Sequence, residues 1–182
     1  MARTSVLSTR VLLICAAIGV ATGILGGIAG WVTPLLLASP LLFLYGLVLG
    51  SHVLPGIIAQ EVLRLPFVAL ITHVFAALIA SAFNPAWSLR FIGTALLFGL
   101  IQEGVAALTR YRSWGAWRFF FVSAVVIGVV VAVAVFFAAN LAVMPLWAQL
   151  LYLTISVLGP VAWTAIGLAI GSALRTAGVA RR

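Results

Sequence analysis

The sequence predicts an all-α integral membrane bundle of six transmembrane helices, with both termini on the cytoplasmic side. Three observations predict it. Hydrophobic residues make up 65% of the 182-residue chain, and the mean hydropathy is +1.33. Apolar segments of membrane-crossing length, about 20 residues each, follow one another along nearly the whole length. The ten basic residues are all Arg, and they gather at segment ends in a one-sided pattern.

Six helices follow in order, at approximately 11–30, 35–50, 55–83, 88–109, 119–139 and 146–174, within a single transmembrane domain spanning 1–182. The first follows MARTSVLSTR, a basic opening like that of a signal peptide. Its apolar stretch is long and has no convincing cleavage site, so it reads as a retained helix. The second contains Pro40. The third is anomalous, because a straight helix from Pro55 to Phe83 would span about 43 Å, longer than a bilayer core requires. Pro66 is the expected break, leaving Pro55–Leu65 as an interfacial or tilted segment. With this count Arg3, Arg10, Arg110, Arg112, Arg118, Arg175, Arg181 and Arg182 fall on one side and Arg90 near the other. The positive-inside rule then places both termini in the cytoplasm. Trp31, Trp87 and Trp147 fall at the outer ends, and Trp114 and Trp117 in the basic inner loop, as an aromatic belt. No internal repeat is apparent.

Composition also excludes function classes. The chain has no Lys, and therefore no P-loop lysine, so it is not itself a conventional ATPase subunit. With Asp absent as well, aspartyl-phosphate chemistry and lysine Schiff bases are excluded. The net charge of +8 belongs to topology and not to nucleic acid. Cys15 stands alone and reads as a packing residue. His52 and His73 lack Asp or a second Cys nearby, so neither a metal site nor a cofactor is expected.

Against this apolar background the two acids, Glu61 and Glu103, carry the most information. A charge at the bilayer centre costs about 2.5–3.5 kcal/mol on insertion scales. Glu103 lies too far from Arg110, about 10 Å along one helix face, for direct contact. It therefore needs a partner on another helix, a proton or a ligand, with Gln102 beside it. Glu61 precedes Arg64 by three residues and can pair with it, for structure or for coupling. His73 is either a ligand donor or a hydrogen-bonded core residue. Tyr152, Ser156 and Trp163, with Gly159, share one face of the sixth helix, which suits either a flat ring or aromatic core packing. Gly19, Gly23 and Gly27, with Ala17 and Ala21, form small-residue faces on the first helix, for packing inside the bundle or against a partner.

Three segments then carry a resemblance. Pro55-Gly56 is followed within two turns by Glu61; Glu103 opens GVAALTRYRSW; and the chain closes on Ala173-Leu174-Arg175-Thr176-Ala177-Gly178. Here the chain resembles the substrate-binding S components of energy-coupling-factor (ECF) vitamin transporters, and within them the YkoE-like subset linked to thiamine or hydroxymethylpyrimidine. The resemblance implies a non-catalytic subunit of the bacterial cell membrane. It captures a small vitamin at the outer face and associates with a transmembrane coupling subunit and two ATPase subunits. It implies that Ala17 and Ala21, with Gly19 and Gly23, dock the coupling subunit; Glu61 and Arg64 are further candidates for that coupling interface. It also implies that the Glu103 carboxylate reads an aminopyrimidine with Trp163 or Tyr152 stacking on it; Gln102, His73 and Ser156 complete the candidate substrate site. The competing readings are a structural or assembly subunit without ligand and, last, a small membrane enzyme.

Overall fold

A computed structural model describes residues 8–112, 114–115 and 117–179, with the side chain of Trp117 excepted. Arg3, Arg181, Arg182 and the Trp117 side chain lie outside the described residues. The described chain is all helical and passes back and forth six times. Helix α1 covers Thr9–Leu37, α2 Tyr45–Gly50, α3 Leu54–Leu63, α4 Val68–Phe83, α5 Ser88–Leu108, α6 Trp117–Ala138 and α7 Leu146–Thr176. Five passes are long and apolar enough to cross a membrane, and α4, with 16 residues, is shorter. The large aliphatic side chains left exposed, such as Leu13, Ile28, Val133 and Leu158, suit contact with lipid.

The second and third passes correct the sequence reading. The chain does not turn between residues 50 and 55. Short 3₁₀ turns at Leu42–Leu44 and Ser51–Val53 join α2 and α3 into one continuous rod over Leu42–Leu63. Pro55 sits in the first turn of α3, where a missing N–H is tolerated. The break falls after it, where Arg64 and Phe67 adopt left-handed conformations (φ 51° and 62°) on either side of Pro66. The break falls at Pro66 as expected, and the segment before it is buried within the bundle. Residues 54–62 are all buried, and α3 packs against α7, α4 and α1 at the centre of the bundle.

The glycines of α1 explain its closest contact. A Cβ on Gly19 would lie 2.5 Å from Phe75 Cβ, and one on Gly23 would lie 2.6 Å from the Ala76 carbonyl oxygen. The absence of side chains there lets α1 and α4 approach backbone to backbone. Gly19 and Gly23 are therefore consumed inside the bundle and do not face a partner, as the resemblance had implied. Ala17 and Ala21 are exposed on another face of α1.

All described arginines except Arg90 cluster at the end of the bundle where α3, α5 and α7 finish and α1 begins. There Arg10 donates to the Val179 carbonyl at 3.3 Å, tying the start of α1 to the residues after α7. Arg90, in the first turn of α5, lies at the opposite end.

Candidate functional site

Glu103 sits on α5 and reaches the break between α3 and α4. Its Oε2 accepts from the Phe67 backbone N–H at 2.9 Å and its Oε1 from Ala69 N–H at 2.8 Å. Phe67 and Ala69 open α4, whose first N–H groups have no partner inside the helix. A carboxylate there satisfies two of them and complements the helix dipole. The Tyr111 hydroxyl, in the turn after α5, lies beside the carboxylate, and burial together with that negative charge pushes its phenol above the ordinary value. Rings of Phe67, Tyr111, Trp114 and Phe119 succeed one another around this point at 5.7–6.3 Å. Glu103 thus holds α5 to the start of α4 at the arginine-rich end.

Gln102, one residue earlier, ties three elements together. Its amide donates to the Val53 carbonyl at 3.0 Å, and its Oε1 lies 2.9 Å from His73 Nε2, which places the donating proton on that nitrogen. Gln60 donates to the Gln102 carbonyl at 3.4 Å. Gly56 makes room for the Gln102 side chain, since a Cβ there would run into its amide oxygen. Glu61 is buried on α3, and its partner is less Arg64, at 3.5 Å, than Arg175 of α7, at 2.8 Å. Sequence spacing finds the first contact and is blind to the second. Both arginines are more than a third exposed, so solvent screens the triad and its net worth is about 1 kcal/mol. Glu61→Gln is expected to lower the midpoint of thermal denaturation by a few degrees. In a double-mutant cycle with Arg175→Gln the two effects should fail to add.

The α7 stripe resolves into packing. The Tyr152 hydroxyl donates to the Ala132 carbonyl at 3.2 Å, and Trp163 Nε1–H donates to the Leu47 carbonyl at 2.8 Å. At Ser156 the α7 backbone meets Gly46 of α2 and Gly128 of α6 within 2.5–2.8 Å of where their Cβ atoms would stand. These three residues join α7 to α2 and α6, and none lines the chambers described below.

The chamber suited to a small molecule lies at the other end of the bundle. A cavity of about 520 Å³ is framed by the end of α1, by α2, the start of α5 and the end of α6. Its polar groups are Thr33, Tyr45, His52, Arg90 and Thr94, and its rings include Trp87 and Phe91. The Arg90 guanidinium carbon lies 4.5 Å from the centre of the Trp87 ring, a cation–π arrangement. His52, Phe91 and Thr94 also line a narrow chamber of about 30 Å³ that continues inward to His73, large enough for a water molecule. Of the six predicted substrate residues, His73 alone lines either of these two chambers. Sequence reasoning passed over Arg90 and Thr94. The available signal was Arg90 itself, which stands apart from the arginines at the other end.

A second concavity runs along α1 and α7 over α3. It has a volume of about 800 Å³, and Leu13, Ala17, Ala21, Ile58, Ile170 and Leu174 form much of its apolar wall.

With this geometry in view, comparisons identify the family. The sequence profile described as "ABC-type cobalt transport system, permease component" matches residues 10–130, about two thirds of the chain. The chain belongs to that family. This permease component is accordingly a multi-pass protein of the bacterial cell membrane and a transport subunit, not an enzyme. Its fold is that of a solved protein described as an S-component of an ECF transporter. The TM-score is 0.81 and the identity 18%, over 94% of this chain and 88% of that one. No curated protein matches the permease component in sequence.

Proposed function

We propose that this protein is the substrate-capture subunit, the S component, of an ECF-type ABC importer. In this reading the arginine-rich end faces the cytoplasm, with both termini inside. The 520 Å³ cavity at the opposite end receives the substrate from outside. That cavity, in a bundle with the S-component fold, is the observation that carries the reading. Its size is in the ordinary range for small organic ligands. The groove on α1 and α7 receives the transmembrane coupling subunit through Ala17 and Ala21, and two ATPases complete the complex. Glu61 and Arg64, at the cytoplasmic end, stabilise the α3–α7 junction beside that groove.

The substrate is a small vitamin or precursor with a flat ring, stacked among Tyr45, Trp87 and Phe91. Hydroxymethylpyrimidine has the right size and shape. Thiamine carries a fixed positive charge and meets Arg90 unfavourably. Recognition rests on the cavity side chains, and Glu103, with both oxygens committed to α4, supports the fold from the other end.

Intrinsic tryptophan fluorescence tests the reading, because Trp87 lines the cavity. The full chain in lipid nanodiscs, titrated with hydroxymethylpyrimidine, thiamine and riboflavin, should show saturable quenching by a flat ligand. Glu103→Gln should keep that response, and Thr94→Trp, which fills the cavity, should abolish it in protein that still denatures cooperatively. Quenching that survives Thr94→Trp places the ligand elsewhere. The absence of any response favours a structural or assembly subunit without ligand.

A further inference from the structure

The cavity also constrains the charge of its substrate, an inference that rests on the capture reading above. The family's description names cobalt, so the donor inventory of this chain is decisive. The whole sequence contains two His, one Cys, two Glu and no Asp. Glu61 is paired with arginines and Glu103 with the start of α4, both at the cytoplasmic end. Cys15 is packed among Val11, Leu54 and Ile58 in the core. Only His52 borders the cavity, with His73 beyond it in the chamber. Among the described residues no three such side chains come together. A divalent transition metal needs several nitrogen, sulfur or carboxylate donors, and here it would meet one imidazole and a guanidinium beside the neutral hydroxyls of Thr33, Thr94 and Tyr45.

Arg90 points the other way. Both acids of the chain lie at the far end, so among the described residues Arg90 has no carboxylate partner. It lines the cavity with its carbon over Trp87. A guanidinium held by its face keeps its in-plane N–H donors for a planar anion, the geometry that carboxylates and phosphates match in pairs. Thr33 and Thr94 add hydroxyl donors, and no acid on the cavity wall opposes an anion.

We propose that the cavity binds a flat organic ring bearing an anionic group, a carboxylate or a phosphate, with Arg90 engaging the anion, and that it does not take a divalent metal ion. Ring stacking on Trp87 and Tyr45 supplies affinity that tolerates several heterocycles, and Arg90 selects by charge.

Isothermal titration calorimetry on the full chain in nanodiscs tests this with matched pairs. One pair is hydroxymethylpyrimidine and its monophosphate, and the other is uracil and its carboxylate, orotate. Thiamine and cobalt chloride complete the set. In at least one pair the anionic member should bind about tenfold or more tighter than the neutral one, the scale of one charge-assisted hydrogen bond. The pair that responds tells phosphate from carboxylate. Arg90→Gln should erase the difference within the pair while leaving the neutral member's affinity nearly unchanged. Arg90→Lys, which keeps the charge and loses the fork, should fall between. The proposal is overturned if cobalt or thiamine binds most tightly, if the members bind equally in both pairs, if Arg90→Gln preserves the ratio in the pair that responds, or if neither acid binds. A neutral, cationic or metal ligand that binds and is lost in Thr94→Trp removes the anion proposal and leaves the capture reading standing. Silence from every ligand removes both.

Discussion

Replacing Glu103 by Ala should lower the stability of the bundle by about 3 kcal/mol, because two backbone N–H groups lose a charged acceptor and hydrogen bonds to charged groups contribute roughly 1.5–3 kcal/mol each. The donors are Phe67 and Ala69, at 2.9 and 2.8 Å. Ala69 is buried and has no water to turn to. For a chain of this length the loss corresponds to a fall of about 6–12 °C in the midpoint of thermal denaturation. Glu103→Gln keeps one carbonyl oxygen but loses the charge and aims an amide donor at another donor, so about half the effect is expected. Thermal denaturation of the purified variants, run beside ligand titration, separates the alternatives. A residue that binds substrate would lose affinity in Glu103→Gln at unchanged stability. The hydrogen bonds to α4 require the reverse.

The second large effect should divide two neighbouring positions on α1. Ala21→Trp places an indole in the α1–α7 groove, where Ala21 is exposed. Folding and ligand affinity should stay close to wild type. Recovery of co-expressed coupling subunit and ATPases on the tagged chain should fall at least about tenfold, since a bulky side chain at the centre of a close-packed contact commonly costs more than 1.4 kcal/mol. Gly23→Val, two residues along, should fail earlier. Its Cβ would stand 2.6 Å from the Ala76 carbonyl oxygen and 2.7 Å from Ile79 Cβ, so α1 and α4 would have to separate. Its expected signature is loss of monodisperse protein, before any question of assembly. Normal recovery of the complex with Ala21→Trp would move the coupling surface away from this groove.

The two α1 positions illustrate what a helical period can and cannot show. Spacing places Gly19 and Gly23 on one face and Ala17 and Ala21 on another. It does not say which face an intramolecular neighbour covers. That depends on where α4 lies, and α4 is placed by Phe75, Ala76 and Ile79 meeting the bare backbone of α1. The α7 stripe shows the same limit. Tyr152, Ser156 and Trp163 do line up, but α2 and α6 occupy the space that a flat ligand would need. A stripe with aromatic, hydroxyl and glycine positions describes a helix–helix seam as well as a binding face. Glu103 was legible as a residue in need of a distant partner, and Glu61 as one half of an ion pair. Their principal partners, the α4 backbone and Arg175, are distant in sequence.

What the sequence by itself determined is what the solvent imposes. An apolar chain in lipid must close its backbone hydrogen bonds within helices, and arginines cannot be buried cheaply. Composition and the positions of ten arginines therefore suffice for an all-helical membrane bundle with six passes and a charged end. The break near Pro66 was legible for the same local reason, a missing N–H. The tertiary structure decided the rest: that residues 42–63 form one rod, that the glycine face turns inward, and that Arg90, Trp87, Tyr45, His52 and Thr94 surround one cavity. Tyr45 and His52 share one face of the 42–63 rod, and Trp87, Arg90 and Thr94 share one face of the pass over 85–108. Helical period relates the residues within each set and does not bring the two sets together. The physical reason is that a cavity is the space several helices leave unfilled, so its lining is set by how they pack together.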